Sequence, residues 1–390
     1  MPGATRRRRS SSAGMVTQFE LVLPRRIIFG TGEFSRLGEL TAALGRSALL
    51  CSGRSAVRKA GWLERAQCLF GERGVRAEIF EGINHDPDLA ICEAGIAHAR
   101  RVGCDVVVAI GGGSVLDVGK TISAIAPQPR DLRHYFHGGL PLDRAPLPFV
   151  AVPTTAGTGA ECTNNAVLSD PERRIKKSLR DARMVPSVAL VDPALTLTAP
   201  PGVTAQSGMD ALCQAVECFV TKAANPVTDS LALRAIELIA SNLPLAVSRG
   251  DSLAHREPVT LGSLMTGMAF GNSGLGAVHG LAHPLGIRFG IPHGLVCAVL
   301  LPHVCEFNLP VRREKFAVMA PLLGASGPDE VPRALADMNR RLGIPERLTG
   351  FGVTEADLPA IIADSRSGSM ARNPRPPSDE DLADILKKVI

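Results

Sequence analysis

Aromatic residues are scarce in this chain. Phe, Trp and Tyr make up 4% of its 390 residues, with a single Trp (Trp62) and a single Tyr (Tyr135). Modules that stack nucleic-acid bases on aromatic platforms need more than this. Surplus charge is lacking too. Of the formal +5, Arg6, Arg7, Arg8 and Arg9 supply four, so the body of the chain carries +1. That leaves no strong electrostatic pull toward nucleic acid or an anionic membrane. Nine cysteines are scattered, odd in number and without a C-x-x-C pair. This is the usage of a reduced, cytoplasmic protein in which Cys packs as a small apolar residue. No apolar run reads as long enough to cross a membrane. The basic start RRRRSSSAG lacks the apolar core of a secretory signal, and residues 1–14 read as a disordered Arg-rich extension before Met15.

What is present is an alternation. Extended, apolar runs at FELVLPRRIIFG (19–30), SALLCSG (47–53), VRAEIFEG (75–82), DVVVAIGGG (105–113), LPFVAVP (147–153) and SVALVDP (187–193) alternate with helical patterns at 32–44, 56–71 and 86–103. Such alternation predicts βαβ units and a parallel sheet. Beyond about Val203 the patterns are helical, broken by Gly and Pro. The division falls within 192–204, which predicts an α/β nucleotide-binding domain over 15–198 and an all-α domain over 199–390.

Two loops in the first half fit a nucleotide. The strand VVVAI runs into GGGSVLDVGK, where Gly111, Gly112 and Gly113 let backbone N–H groups approach a diphosphate at a helix N-terminus. Ser114 can cap that helix or bond a phosphate oxygen. The alternative is a tight strand–helix turn without a ligand. Neither G-x-G-x-x-G nor a Walker loop fits: Leu116 stands where the last glycine belongs, and Gly119-Lys120-Thr121 would put the first Walker glycine at Ser114. The second loop, PTTAGTGAECTNN (153–165), offers Thr154, Thr155 and Thr158 at the end of another strand, where open α/β sheets bind ligands. Near the adenosine ribose an NAD-selective turn carries an acid; here Gly53 and Arg54 stand in the turn, with Arg58 and Lys59 following. This favours NADP over NAD, against the competing reading of a basic, solvent-facing helix start.

The second half concentrates imidazoles. His279, His283 and His293 fall in VHGLAHPLGIRFGIPHG, and His279 and His283 share a helix face. Upstream, SGMDALCQAVECF places Asp210 and Gln214 four apart on another helix. Asp210, His279 and His293 would make a two-His, one-carboxylate site with open positions, suited to Fe(II) first and Zn(II) second. An open metal site beside a nicotinamide implies a Lewis acid that polarises a carbonyl while hydride moves. Helix-end histidines without a metal are the alternative.

The motifs GGGSVLDVGK, PTTAGTGAE, SGMDAL and GLGAVHGLAHPLGIRFGIPHGLVCAVLLPHV (274–304) resemble those of the iron-containing (group III) alcohol dehydrogenases, of dehydroquinate synthase-like fold. The resemblance runs from about Phe19 to the C-terminus. It implies an NAD(P)-dependent alcohol dehydrogenase or aldehyde reductase, dimeric or larger, acting on a small-molecule alcohol or aldehyde. It also implies that Asp117, Thr154, Thr155, Thr158, Asn165 and Lys176 line the cofactor. Asp210, His279 and His293 match metal ligands, and His283 matches a non-ligand histidine suited to proton relay. One position departs: Gln214 stands where the family has a ligand histidine. Gln214 ligates weakly, or a water replaces it, or the site works without metal as in maleylacetate reductases. A degenerate, nucleotide-binding non-enzyme is a further alternative. Substrate contacts are expected around Phe270, Phe289 and the loop in the 360s and 370s. Cys213, beside Gln214, is expected to pack rather than ligate.

Overall fold

The computed structural model describes residues 18–173 and 175–390. The Arg-rich extension expected at 1–14 lies outside them. Six strands form one parallel sheet: β1 (Arg26–Phe29), β2 (Ser47–Gly53), β3 (Arg76–Ile83), β4 (Val106–Gly111), β5 (Phe149–Pro153) and β8 (Val188–Val191), in the order β1-β8-β5-β4-β2-β3. β6 (Asn165–Asp170) and β7 (Ile175–Arg180) make a separate antiparallel hairpin.

The period-2 geometry of a strand explains why β4 is apolar throughout. Val106, Val108 and Ile110 face one core layer, and Val107 and Ala109 face the other. On the first face lie Leu37 and Leu40 of α1 (Leu37–Ala42), beyond which α2 (Ala56–Lys59) leads to α3 (Trp62–Gly71) with Leu63 and Phe70. On the second lie Cys92 and Ile96 of α4 (Leu89–Val102), Leu116 and Ile122 of α5 (Gly113–Ile125), and Tyr135 and Phe136 of α6 (Leu132–Gly138). Helices on both faces of a parallel sheet are the α/β architecture expected, with a helical second half.

That second half holds α7 (Pro201–Val220), α8 (Pro226–Ser248), α9 (Leu253–Ser273), α10 (Ala277–Phe289) and α11 (His293–Met319), followed by α12 (Val331–Arg341), α13 (Leu358–Asp364), α14 (Gly368–Arg372) and α15 (Asp379–Lys387). α7 is its axis: every residue from Gly208 to Val220 is buried. Gly294, in the first turn of α11, lets that helix lie directly on α7, because a methyl there would overlap the Gln206 carbonyl. This contact brings His293 over Asp210.

Four expectations change. The first strand shrinks from 19–30 to Arg26–Phe29; Pro24 has no N–H to give a ladder. The helix expected over 56–71 is two, divided at Gly61, which adopts φ 76°. The β6–β7 hairpin was not expected; its alternation is masked by Lys176, Lys177 and Arg180. Pro226–Ser248 and His293–Leu323 do have the length and apolarity of membrane spans, contrary to the sequence reading. Both supply residues such as Ile236, Ile239, Val296 and Leu300 to the helical core, where they pack on α7.

Lys120 has a structural task. Its ammonium is buried and donates to the carbonyls of Ala160, Thr163 and Asn165 and to Thr163 Oγ1 at 2.7–3.0 Å. It pins the second loop to α5. Beside it, burial raises the Glu161 carboxyl to about 7. A carboxyl raised in the folded state binds more protons there than in the unfolded chain, so stability falls as pH rises from the ordinary value toward 7 and stays reduced above it. Glu161→Gln removes this cost. Its thermal midpoint should exceed that of the parent at pH 8, by an amount equivalent to about 3 kcal/mol, and the gap should shrink as pH falls toward 4.5; calorimetry across that range checks it.

Candidate active site

The cleft lies between the two domains, at the carboxyl ends of β4 and β5. It has a volume of about 640 Å³, continued by a second lobe of about 440 Å³. The lobes share Gly113, Ser114, Thr158, Asp210 and His293, so they form one crevice.

The α/β wall is the first turn of α5. Gly112 is its N-cap and no side chain caps it, so Ser114 lines the crevice rather than bonding its own helix. Uncapped N–H groups facing a cleft are a ready anion site. Gly113 has a packing reason as well: a methyl would press on Thr158 Oγ1 at 2.6 Å. The glycine run therefore closes the strand–helix turn and also opens the helix end. Thr155 and Thr158 reach the crevice, whereas Thr154 donates its N–H to Gly111 and extends the β4–β5 pairing. Asp117, Asn165 and Lys176 line the larger lobe. Asp117 accepts from the Val167 N–H at 3.0 Å, and burial raises its carboxyl to about 6.

Lys176 Nζ lies 2.5 Å from Asp86 Oδ1. Burial opposes ionisation of Asp86, but His85 and Lys176 hold its carboxyl well below the usual range. Asp86 is also the one non-glycine with positive φ, 52°, among the described residues. Sequence reading passed over it. Gly53 and Arg54 sit at the carboxyl end of β2 and form no part of the crevice wall lining either lobe. Arg58 is held by Glu81 and Glu64.

The helical wall carries the imidazoles. Asp210, Gln214 and Glu217 occupy successive turns of α7; His279 and His283 lie on α10, and His293 begins α11. One donor atom from each of Asp210, His279, His293 and Cys297 lies within 4.8 Å of the others. His279 Nδ1 lies 2.6 Å from Glu217 Oε2, which also accepts through Oε1 from the Val278 N–H. This contact turns Nε2 toward Asp210 Oδ1, 3.4 Å away. His293 Nε2 lies 3.8 Å from the same oxygen. Burial opposes protonation of His279, but Cys297, Glu217 and Asp210 outweigh it and raise its pKa well above the ordinary value. His283 goes the other way: burial, then His293, Lys176 and His279, push it down to about 3. It is neutral at working pH, with one N–H and one lone pair.

The donors fit a divalent cation. Asp210 Oδ1 and Gln214 Oε1 are buried without a hydrogen-bond partner, as is His293 Nδ1. An orphaned buried polar atom costs about 1–3 kcal/mol, and a cation held with His279 and His293 would satisfy the Asp210 oxygen. Gln214 donates Nε2 to Asp210 Oδ2 at 3.1 Å.

Two residues at this centre were missed in the sequence. Cys297 lies four after His293, the spacing that singled out Gln214 and His283, and Glu217 lies seven after Asp210, two turns on along the same face. Cys213 comes near too, with Glu217 and His279. Of the expected substrate contacts, Phe270, Ser367, Gly368, Ser369, Ala371 and Arg372 line the cleft, while Phe289 packs on the helical core.

The model of the iron-containing alcohol dehydrogenase family matches residues 24–193, and that of the family's C-terminal domain matches 204–390. The chain is 40% identical to 1,3-propanediol dehydrogenase of Klebsiella pneumoniae over 383 residues, 95% of this chain and 98% of that protein. It is 34% identical to the NAD-dependent methanol dehydrogenase of Bacillus methanolicus, over 94% and 99% of the two chains. A crystal structure of 1,3-propanediol oxidoreductase superposes with a TM-score of 0.91 at 38% identity, over 96% of this chain and all of that one.

Glu217→Gln keeps the side chain's size but weakens its hold on His279. Affinity for Fe(II) or Zn(II) should fall roughly 10–100-fold, as measured by competition with a chromogenic chelator.

Proposed function

The chain belongs to the iron-containing alcohol dehydrogenase family, and we propose that the crevice between its domains is where this member exchanges hydride with a short-chain alcohol or aldehyde. As a member it is an oxidoreductase acting on CH–OH groups, linked to NAD and assisted by a divalent metal. The observation that carries the site assignment is the convergent donor set of Asp210, His279 and His293, with the orphaned, buried Asp210 oxygen among them.

Bound in the crevice, the nicotinamide supplies or takes the hydride and the cation polarises the substrate oxygen. The protein does the rest. The uncapped first turn of α5 receives the diphosphate. Asp210, His279 and His293 would hold the cation at the floor of the cleft. Glu217 fixes the His279 tautomer by accepting from Nδ1. His283, its ring centroid 5.8 Å from that of His293, passes a proton along rather than storing one. Phe270 and Leu275 give the substrate an apolar wall. The likeness to 1,3-propanediol dehydrogenases supports short alcohols and diols as the substrate class. Fe(II) is the resident ion in this reading, with Zn(II) its competitor.

Asp210→Ala and His279→Ala should each lower kcat by a factor of roughly 10³ or more while coenzyme affinity changes less than about threefold. Steady-state kinetics together with coenzyme titration check this; full activity in rigorously demetallated protein would defeat the metal reading.

Coenzyme choice is a separate proposal: the chain accepts NADP as well as NAD. Gly53 puts no carboxylate at the end of β2, and the neighbouring Arg54 is exposed. A Cβ at Gly53 meets nothing closer than 3.6 Å, so a side chain fits there. Gly53→Asp should shift the NADPH-to-NADH ratio of kcat/KM toward NADH by about tenfold or more, with kcat for NADH kept. We further propose a cytoplasmic homodimer or larger homo-oligomer, acting on small molecules with no nucleic-acid or membrane partner. The nine free thiols, eight of them buried, support a reducing compartment.

A further inference from the structure

Cys297 follows His293 by one turn of α11 and is fully buried. Its Sγ lies 3.7 Å from His293 Nε2 and 3.8 Å from His279 Nε2. Asp210 Oδ1 lies 3.8 and 3.4 Å from the same two nitrogens. These are close to the edges of one coordination tetrahedron. With metal–nitrogen and metal–oxygen bonds of about 2.0–2.1 Å and metal–sulfur bonds of about 2.3 Å, the N–O edge is about 3.4 Å and the N–S edge about 3.6 Å.

We propose that Cys297 is a thiolate ligand which, with Asp210, His279 and His293, holds the divalent cation, filling the corner that Gln214 vacates. The proposal rests on the metal-dependent reading above. Four further observations support it. Gln214 donates Nε2 to Asp210 Oδ2, so it turns the carboxylate and leaves Oδ1 aimed at the imidazoles; it orients a ligand instead of being one. Asp210 and Cys297 as anions balance the two charges of the ion, which an amide at the fourth corner does not. Asp210, His279 and His293 line the cleft and Cys297 does not, so the sulfur would hold the ion from behind, and a substrate oxygen would add from the cleft side as a fifth donor. Cys213 is the rival thiol, but it groups with Glu217 and His279, and there His279 meets Glu217 through Nδ1, an atom already engaged at 2.6 Å. A thiolate among two imidazoles and a carboxylate selects Zn(II) or Fe(II) over the harder Mg(II) and Mn(II).

The test is spectroscopic and independent of turnover. The full-length protein, demetallated and reloaded with one equivalent of Co(II), should show the near-ultraviolet thiolate-to-cobalt charge-transfer band of one sulfur ligand. Cys213→Ser should keep the band and Cys297→Ser should lose it, with Zn(II) affinity lowered roughly 100-fold or more in the latter. Should Cys297→Ser fail to fold, X-ray absorption on the zinc-loaded parent decides: one sulfur at about 2.3 Å supports the assignment. Stoichiometric Co(II) without the band, a band that survives Cys297→Ser, or a zinc shell of nitrogen and oxygen alone overturns it. These outcomes leave the metal-dependent reading standing. A parent that binds no metal would take both down together.

Discussion

Charge inside an apolar helical core is the constraint on which this molecule turns. Asp210 and Glu217 lie on α7, whose residues from Gly208 to Val220 are all buried, and His279 is equally enclosed. Burying such groups is costly unless each finds a partner. Glu217 is satisfied by His279 and the Val278 N–H. Asp210 is satisfied on one oxygen only. The packing of α7, α10 and α11 thus leaves a concentrated negative demand at one point, and the cleft opens onto it. The rest of the helical domain holds that point rigid, and the α/β domain brings a helix N-terminus to face it.

The same economy governs the nucleotide side. Lys120 resembles the lysine of a phosphate loop in sequence but spends its charge inward, on the carbonyls of Ala160, Thr163 and Asn165. In this loop, what is left for an anion is the uncapped backbone of α5 itself. A fixed loop and open N–H groups preorganise this end of the crevice. Lys176, which lines the cleft together with Lys177, Arg180 and Arg372, is held by Asp86.

Much of this was legible in the residues. The apolar alternation of 47–53, 105–113 and 147–153 identified three adjacent central strands, because a doubly covered parallel strand has no polar face to confuse the pattern. Helical spacing paired only Asp210 with Gln214 and His279 with His283; Asp210, His279 and His293 were grouped by donor type and by the resemblance, and the structure brings those three together. The β6–β7 hairpin was illegible, since its strands carry the Lys and Arg of a partly exposed surface. Cys297 was illegible for another reason: a buried thiol reads as packing until its neighbours are known, and those neighbours come from three different helices. Gly53 and Arg54 show the reverse. Their place at the end of β2 could be read, but the local ion pairs of Arg58 with Glu81 and Glu64 could not.

One further consequence lies in how unevenly the donors are covered. The side chains of Asp210 and His279 are each 4% exposed, whereas that of His293 is 23% exposed and faces the crevice. Of these donors His293 is the one most open to the cleft, so an ion would enter and leave on its side, through the crevice proposed to admit coenzyme and substrate. A coenzyme bound as proposed would then act as a stopper. Ion exchange should be fast in the empty protein and slow in the loaded one, so that the lifetime of the metal is set by traffic through the door rather than by the strength of the bonds behind it.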